Sequence, residues 1–146
     1  MKPYPHTYRV SAQGAPSGMV PVSAQGVPAI ATAPPPDFDG PEGTWSPETL
    51  LVTAVANCFI LTFRGVARAA NLPWEQLECR VEGVLERSAG VTRFTRFTTR
   101  ATLTVSAGAD QGRARQLLER AETACLIANS LSGERHLEAQ ITGSAR

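Results

Sequence analysis

Three cysteines and two histidines are the side chains of this 146-residue chain best suited to nucleophilic, redox or metal chemistry. They are Cys58, Cys79, Cys125, His6 and His136. No Cys-x-x-Cys pair occurs, and neither histidine has a partner at ligand spacing, so we expect no metal site. A Cys/His hydrolase stays open because catalytic triads are assembled in space, but the two histidines are poorly placed in the sequence for one.

Cys58 and Cys125 are 67 residues apart, and each is expected on the apolar face of its own helix. If those helices pack together, the two Cα atoms could come within the ~4.4–6.8 Å that a disulfide requires. A dithiol of this kind can reduce a peroxide: one thiolate becomes a sulfenic acid and the other thiol condenses with it. An apolar pocket would favour an organic peroxide. The alternative is that both are small core residues.

The helix that must carry Cys58 has a clear start and end. Ser46 is a good N-cap and Pro47 fits the first helical position. The stretch 50–63 contains no charged residue, which predicts a helix buried on nearly all sides. We expect it to run to about Ala70, because Pro73 forbids continuation. The uncharged stretch is shorter than the ~20 residues that cross a bilayer.

Two alternating strands should follow, joined by a turn at Ser88–Gly90. Cys79 shares the inner face of the first strand with Leu77, so we expect it to be structural. A second helix is predicted from its N-cap Asp110 to about Ala128, with Cys125 near its end. A last alternating strand covers residues 137–142.

The first 45 residues have a different composition. Ten of the eleven prolines lie at or before Pro47. Short β-compatible runs occur at Thr7–Ala12, Met19–Ser23 and Val27–Thr32, followed by a proline-rich loop. Because this segment has few large apolar residues, we expect it to pack on another element or another chain. The whole chain is predicted to be one α+β domain, 1–146, with antiparallel sheets packed on a long central buried helix and a second helix.

Composition excludes several classes of function. The net charge is +1, so nothing calls for nucleic acid or an anionic membrane. No basic region precedes an apolar run at the N-terminus, and the expected location is the cytoplasm. The absence of a glycine-rich phosphate loop leads us to expect no nucleotide cofactor, and no other cofactor is indicated.

Two segments resemble the motifs of the OsmC/Ohr family, the osmotically inducible and organic hydroperoxide resistance proteins. The first is Ser46-Pro-Glu-Thr-Leu-Leu-Val-Thr-Ala-Val-Ala-Asn-Cys-Phe59, similar to the family pattern of Asn/Ser-Pro-Glu, nine residues and Cys. The second is Ala124-Cys125-Leu-Ile-Ala-Asn129-Ser-Leu131, similar to Cys-Pro-x-Ser-Asn-Ala/Ser-Leu. The resemblance extends roughly from Tyr8 to Ile141.

This resemblance implies an intertwined homodimer in which residues 1–45 pack on the partner subunit. It also implies a thiol peroxidase for organic hydroperoxides, with Cys58 as the attacking thiol and Cys125 as the resolving thiol. A dithiol, lipoyl-type or a small thiol, would restore the pair. Glu48 matches the family carboxylate that orients an arginine beside the thiolate. Glu48 and Cys58 are ten residues apart, about 15 Å along one helix, so an arginine or a partner subunit must connect them.

The chain departs from the family pattern at two places. The family arginine belongs in the first hairpin turn or in the loop before the Pro-Glu motif, and neither segment contains one here. Leu126 stands where a proline usually follows the second cysteine. Without a guanidinium beside Cys58, its thiolate fraction should fall unless Arg9, Arg93, Arg96 or Arg100 substitutes. The alternative function is therefore a non-catalytic OsmC-like protein that binds an apolar small molecule at its dimer interface.

Overall fold

The computed structural model describes residues 1–144, and the chain separates into two compact units, Met1–Leu51 and Val52–Arg146. The first unit contains three short strands where β-compatible runs were expected: β1 (Val10–Ala12), β2 (Val20–Ala24) and β3 (Ile30–Thr32). They form an antiparallel sheet in the order β1-β2-β3. A short 3-10 turn at Pro36–Phe38 interrupts the predicted loop.

The long helix α1 spans Pro47–Ala69, as predicted. Ser46 caps it, because its Oγ accepts a hydrogen bond from the Thr49 N–H at 3.2 Å. At the other end Asn71 takes a left-handed conformation with φ of 52°, which terminates the helix.

The prediction that α1 is buried on nearly all sides is wrong for the chain by itself. Its buried side chains form a single stripe of four, namely Val55, Phe59, Phe63 and Ala67. Its most apolar window is long enough to cross a membrane by length and composition, and only 22% of that window is buried. The buried stripe, at the spacing of one helix face, indicates the core helix of a folded domain.

The second sheet has the order β4-β5-β6, with β4 at Trp74–Ser88, β5 at Val91–Val105 and β6 at Glu134–Gly143. β4 and β5 form the predicted antiparallel hairpin, and both turn residues have positive φ, 51° at Ala89 and 78° at Gly90. The expectation of purely antiparallel sheets is wrong here, because β6 pairs with β5 in parallel. A parallel pair needs a crossover, and the helical segment between these strands provides it.

That crossover contains α2 (Gln111–Ala124) and the short α3 (Leu126–Asn129). Asp110 caps α2 as predicted, and its carboxylate accepts from the Arg113 N–H at 3.0 Å. The predicted helix to Ala128 is broken at Cys125, whose φ of −65° and ψ of 103° are extended rather than helical. This break places the backbone N–H groups after Cys125 at a new helix start.

The core of the second unit lies between α1, the inner face of the second sheet and α2. Fully buried members include Phe59, Phe63, Leu103 and Leu118. The α+β class is therefore confirmed. That residues 1–45 pack on a partner subunit within a single domain, and that the protein is cytoplasmic, stay predictions.

Candidate active site

The orientation of Cys58 on α1 is set by the packing of the next residue, Phe59. Phe59 is 1% exposed and belongs to the core stripe, so the helix orientation is set by packing. Cys58 itself lies at the edge of this stripe and is partly buried. A thiol in this position is held by the core and still accessible from one side.

Cys125 is positioned by the break between α2 and α3, and it is 1% exposed. Ala121, one turn earlier, anchors α2 in the core. The Asn129 N–H donates to the carbonyl of Cys125 at 2.9 Å, which closes the single turn of α3. Cys125 is thus a single non-helical residue between α2 and α3.

The structure brings the two cysteines together as free thiols. Cys58 and Cys125 lie close enough for each thiol to act on the pKa of the other, and both cysteines are free. The Thr62 hydroxyl lies 3.8 Å from the Cys58 sulfur, one turn further along α1. Two neighbouring free thiols are the starting arrangement that disulfide formation requires.

The electrostatic environment favours the thiolate of Cys58. Burial raises the pKa of this thiol, but hydrogen bonds from the Ile127 N–H, the Cys125 thiol, the Thr62 hydroxyl and the Leu126 N–H together lower the pKa below its ordinary value. Donors aimed at a sulfur stabilise its anion. Among residues 1–144, the groups that act most strongly on Cys58 thus include no cation.

The other two cysteines are held in the protonated form. Burial raises the pKa of Cys125, and its hydrogen bond to Cys58 raises it further, although the Ala128 N–H acts in the opposite direction. Burial, together with the proximity of Cys125, raises the pKa of Cys79 to about 11. Cys79 packs against the core cluster, as expected for a structural residue.

Glu48 is not among the groups that act most strongly on Cys58. It lies in the first turn of α1, in the first unit, and its Oε2 is buried without a hydrogen-bond partner among residues 1–144. A buried carboxylate oxygen without a donor is costly. The carboxylate is therefore available to a donor from outside the chain.

The arginines considered as substitutes are not among the groups that act most strongly on Cys58. Arg100 is engaged on the polar face of the sheet, where its Nε donates to Glu138 at 2.8 Å and its Nη1 lies 4.0 Å from Glu82. Arg93 and Arg96 are exposed on β5, and Arg9 belongs to the first unit. The groups that lower the pKa of Cys58 include the backbone N–H groups of Ile127 and Leu126.

Sequence reasoning missed three groups of this site. Thr62 could have been found, because it follows Cys58 by four residues and thus shares its helix face. The N–H groups of Leu126 and Ile127 could not, since the predicted helix ran without a break past Cys125. They become donors to the thiol only because the helix restarts there.

Comparison with known proteins decides the family. The model of the OsmC-like protein family matches residues 40–139. The chain belongs to the OsmC-like family. A curated relative, the uncharacterized protein YmaD of Bacillus subtilis (strain 168), is 31% identical over 113 residues, which are 73% of this chain and 75% of YmaD.

Solved structures of this family share the fold. An OsmC-like protein of unknown function from Vibrio cholerae has a TM-score of 0.84 at 20% identity, covering 92% of this chain and 99% of its own. An organic hydroperoxide resistance protein from Elizabethkingia anophelis has a TM-score of 0.78 at 18% identity, covering 99% and 100%. The fold neighbours of this OsmC-like protein thus include proteins named for resistance to organic hydroperoxides.

Proposed function

We propose that this OsmC-like protein is a thiol peroxidase that reduces organic hydroperoxides through Cys58 and Cys125. The observation that carries the proposal is the proximity of these two free thiols, whose pKa values are shifted in opposite directions. A peroxidase needs one thiolate that attacks and one thiol that keeps its proton until the second step. The pair meets both needs at neutral pH better than two ordinary core cysteines would.

The proposed cycle has three balanced steps. The Cys58 thiolate attacks the outer oxygen of ROOH, the O–O bond breaks, and the leaving alkoxide takes a proton to become the alcohol. Cys58 is then a sulfenic acid. The Cys125 thiol attacks its sulfur, and water leaves with the Cys125 proton and the sulfenic OH. A dithiol reductant, lipoyl-type or a small thiol, reduces the disulfide and is itself oxidised to a disulfide.

The same proposal includes a homodimer. α1 carries a long apolar sequence of which little is buried in the chain by itself, and Leu61 on this helix is 53% exposed. In addition, the buried Oε2 of Glu48 has no hydrogen-bond donor among residues 1–144. A second copy would cover the apolar surface and supply that donor, and the site of Cys58 would then lie at the interface.

One observation favours a second candidate. No cation is among the groups that act most strongly on Cys58 in the described part of the chain, so an incoming peroxide has no oriented guanidinium donor. A protein that binds an apolar small molecule at its dimer interface, without turnover, needs no such donor. The two candidates differ in turnover and not in binding.

The deciding experiment is a peroxidase assay with cumene hydroperoxide or tert-butyl hydroperoxide and an excess of a dithiol. Turnover that is lost in Cys58→Ser and retained in Cys79→Ser supports the peroxidase. Cys79→Ser is the matched control because it removes a thiol that lies near Cys125 and stays protonated. Absence of turnover with every reductant would contradict the peroxidase proposal and support the non-catalytic binding protein.

Mass spectrometry gives a second readout that does not depend on the reductant. One equivalent of hydroperoxide should remove two hydrogens from the wild-type protein and leave a Cys58–Cys125 crosslinked peptide pair. Cys125→Ser should instead accumulate a sulfenic acid on Cys58, which dimedone traps. A crosslink that involves Cys79 would contradict the assigned roles.

A further inference from the structure

Arg135 makes the densest set of side-chain hydrogen bonds in the second unit. It lies near the start of β6, and its side chain is only 23% exposed. Its Nε donates to the Glu122 carboxylate at 2.7 Å, and its Nη1 donates to the Asn129 side-chain oxygen at 2.6 Å. Its Nη2 also donates to the backbone carbonyl of Glu122. The planar guanidinium thus bonds to three acceptors in a fixed arrangement.

These acceptors bracket Cys125. Glu122 precedes the cysteine by three residues in the last turn of α2, and Asn129 follows it by four at the end of α3. The Glu122 carbonyl also accepts from the Cys125 N–H at 3.3 Å. One side chain therefore ties both flanks of the helix break, from outside the segment.

The base of Arg135 is itself fixed against β5. Gly133, two residues earlier, lies so close to this strand that an added Cβ would be 3.1 Å from the carbonyl carbon of Thr95 and 3.2 Å from the Phe94 oxygen. These are backbone atoms, which cannot give way as a side chain can. Arg135 therefore extends from a strand that packs closely on its neighbour, and its guanidinium joins that strand to both flanks of the helix break.

We propose that Arg135 is a positioning residue, which holds the Cys125 segment in the geometry that lets its thiol react with Cys58. The inference rests on the proposed redox pairing of these cysteines. This role explains how the chain can have leucine at position 126, where the family motif has proline. A proline ring restricts the backbone after Cys125, and leucine does not. The restraint comes from Arg135 instead, through Glu122 and Asn129.

The test is the rate of Cys58–Cys125 disulfide formation in the full-length protein after rapid mixing with one equivalent of diamide. Diamide takes two electrons and two protons from the thiols and becomes the hydrazine. We expect Arg135→Gln to slow closure about tenfold or more, the effect of losing several charge-assisted hydrogen bonds. Arg135→Lys keeps the charge and should recover part of the rate.

Arg115→Gln is the matched control. Arg115 also connects α2 to β6, since its Nη1 donates to the Ala139 carbonyl at 3.1 Å, but it does not bond to either flank of Cys125. It should leave the closure rate within about twofold of wild type. Urea unfolding of both variants reports any general loss of stability. Glu122→Gln removes the carboxylate partner of Arg135. Its rate of disulfide formation should lie between those of Arg135→Gln and wild type.

Three results would overturn the proposal: wild-type closure in a folded Arg135→Gln, equal slowing in Arg115→Gln, or no Cys58–Cys125 disulfide in the wild type with diamide. The use of diamide separates this test from the peroxidase. If the wild type closes rapidly with diamide and turns over no hydroperoxide, the peroxidase proposal fails. Slow closure in Arg135→Gln still supports the positioning role in that case.

Discussion

The backbone N–H of Leu126 lies near the sulfur of Cys58 and helps to lower the pKa of that thiol. At this place the family motif has a proline, which has no N–H to donate. The departure from the motif therefore adds a donor to the thiol in a chain that lacks the expected arginine beside it. Backbone amides do not titrate, so this part of the activation is present at every pH.

Leu126→Pro should raise the pKa of Cys58, because it removes one of the donors that lower it. The pH midpoint of iodoacetamide alkylation should therefore rise. The fold should tolerate the change, since Cys125 is already extended and proline suits the first position of a helix.

Leu126→Ala is the control for that variant. It keeps the N–H and removes a side chain that is 63% exposed, so the alkylation midpoint should stay at the wild-type value. An equal shift in both variants would mean that the side chain, and not the N–H, acts on Cys58.

Cys125→Ala should also raise the pKa of Cys58, since the Cys125 thiol donates to its sulfur. The measurement is the same alkylation profile, with the modified residue identified by mass spectrometry. Cys79→Ala should not shift it, because Cys79 is not among the strongest influences on Cys58. An unchanged midpoint in Cys125→Ala would contradict the thiol–thiol hydrogen bond.

Cys79 should make the stability of the protein fall at high pH. Its folded pKa of about 11 lies above the ~8.5 of a free thiol, so the unfolded chain loses this proton first. The stabilisation is complete below pH ~8.5 and is lost as the pH rises towards the folded pKa. Urea unfolding between pH 8 and 11 should show a loss of stability that is smaller in Cys79→Ala than in wild type. Parallel curves for both proteins would exclude this role.

Local signals in the sequence predicted most of the elements and half of the site. Ser46 and Asp110 are N-caps whose side chains accept hydrogen bonds from backbone N–H groups of the first turn. Both helix starts could therefore be predicted from the sequence. Alternation gave the inner face of β5, where Phe97 and Leu103 are buried. The proximity of Cys58 and Cys125 was predicted only on the condition that their two helices pack together.

The rest depended on contacts between residues distant in sequence. The break at Cys125 has no proline or glycine to mark it, and the stripe of α2 continues in phase to that residue. Arg135 and Glu122 are 13 residues apart in different elements, so no periodicity connects them. Burial of α1 was overestimated because an uncharged stretch does not tell whether its cover comes from the same chain or another.

Gly83→Ala should destabilise the second unit by about 1–3 kcal/mol. An added Cβ would lie 2.8 Å from Cγ2 of Val52 and 3.0 Å from Cε1 of Phe94, in a strand where the side chains behind them are packed. Urea unfolding at neutral pH measures the loss. The double variant Gly83→Ala with Val52→Ala removes the nearest atom and should recover part of it. An additive loss in the double variant would show that the strand moves instead of the side chain.

Leu61→Glu should dissociate the proposed homodimer. Leu61 lies on the uncharged part of α1 and is 53% exposed in the chain by itself, which leaves a large apolar side chain without cover. A carboxylate buried in an apolar interface loses its hydration, so association should weaken by at least tenfold. Sedimentation velocity at micromolar concentration should show a dimer for wild type and for Leu61→Met, and a monomer for Leu61→Glu. A wild-type protein that sediments as a monomer would remove the homodimer from the proposal, and a dimeric Leu61→Glu would place the interface elsewhere than on this face of α1.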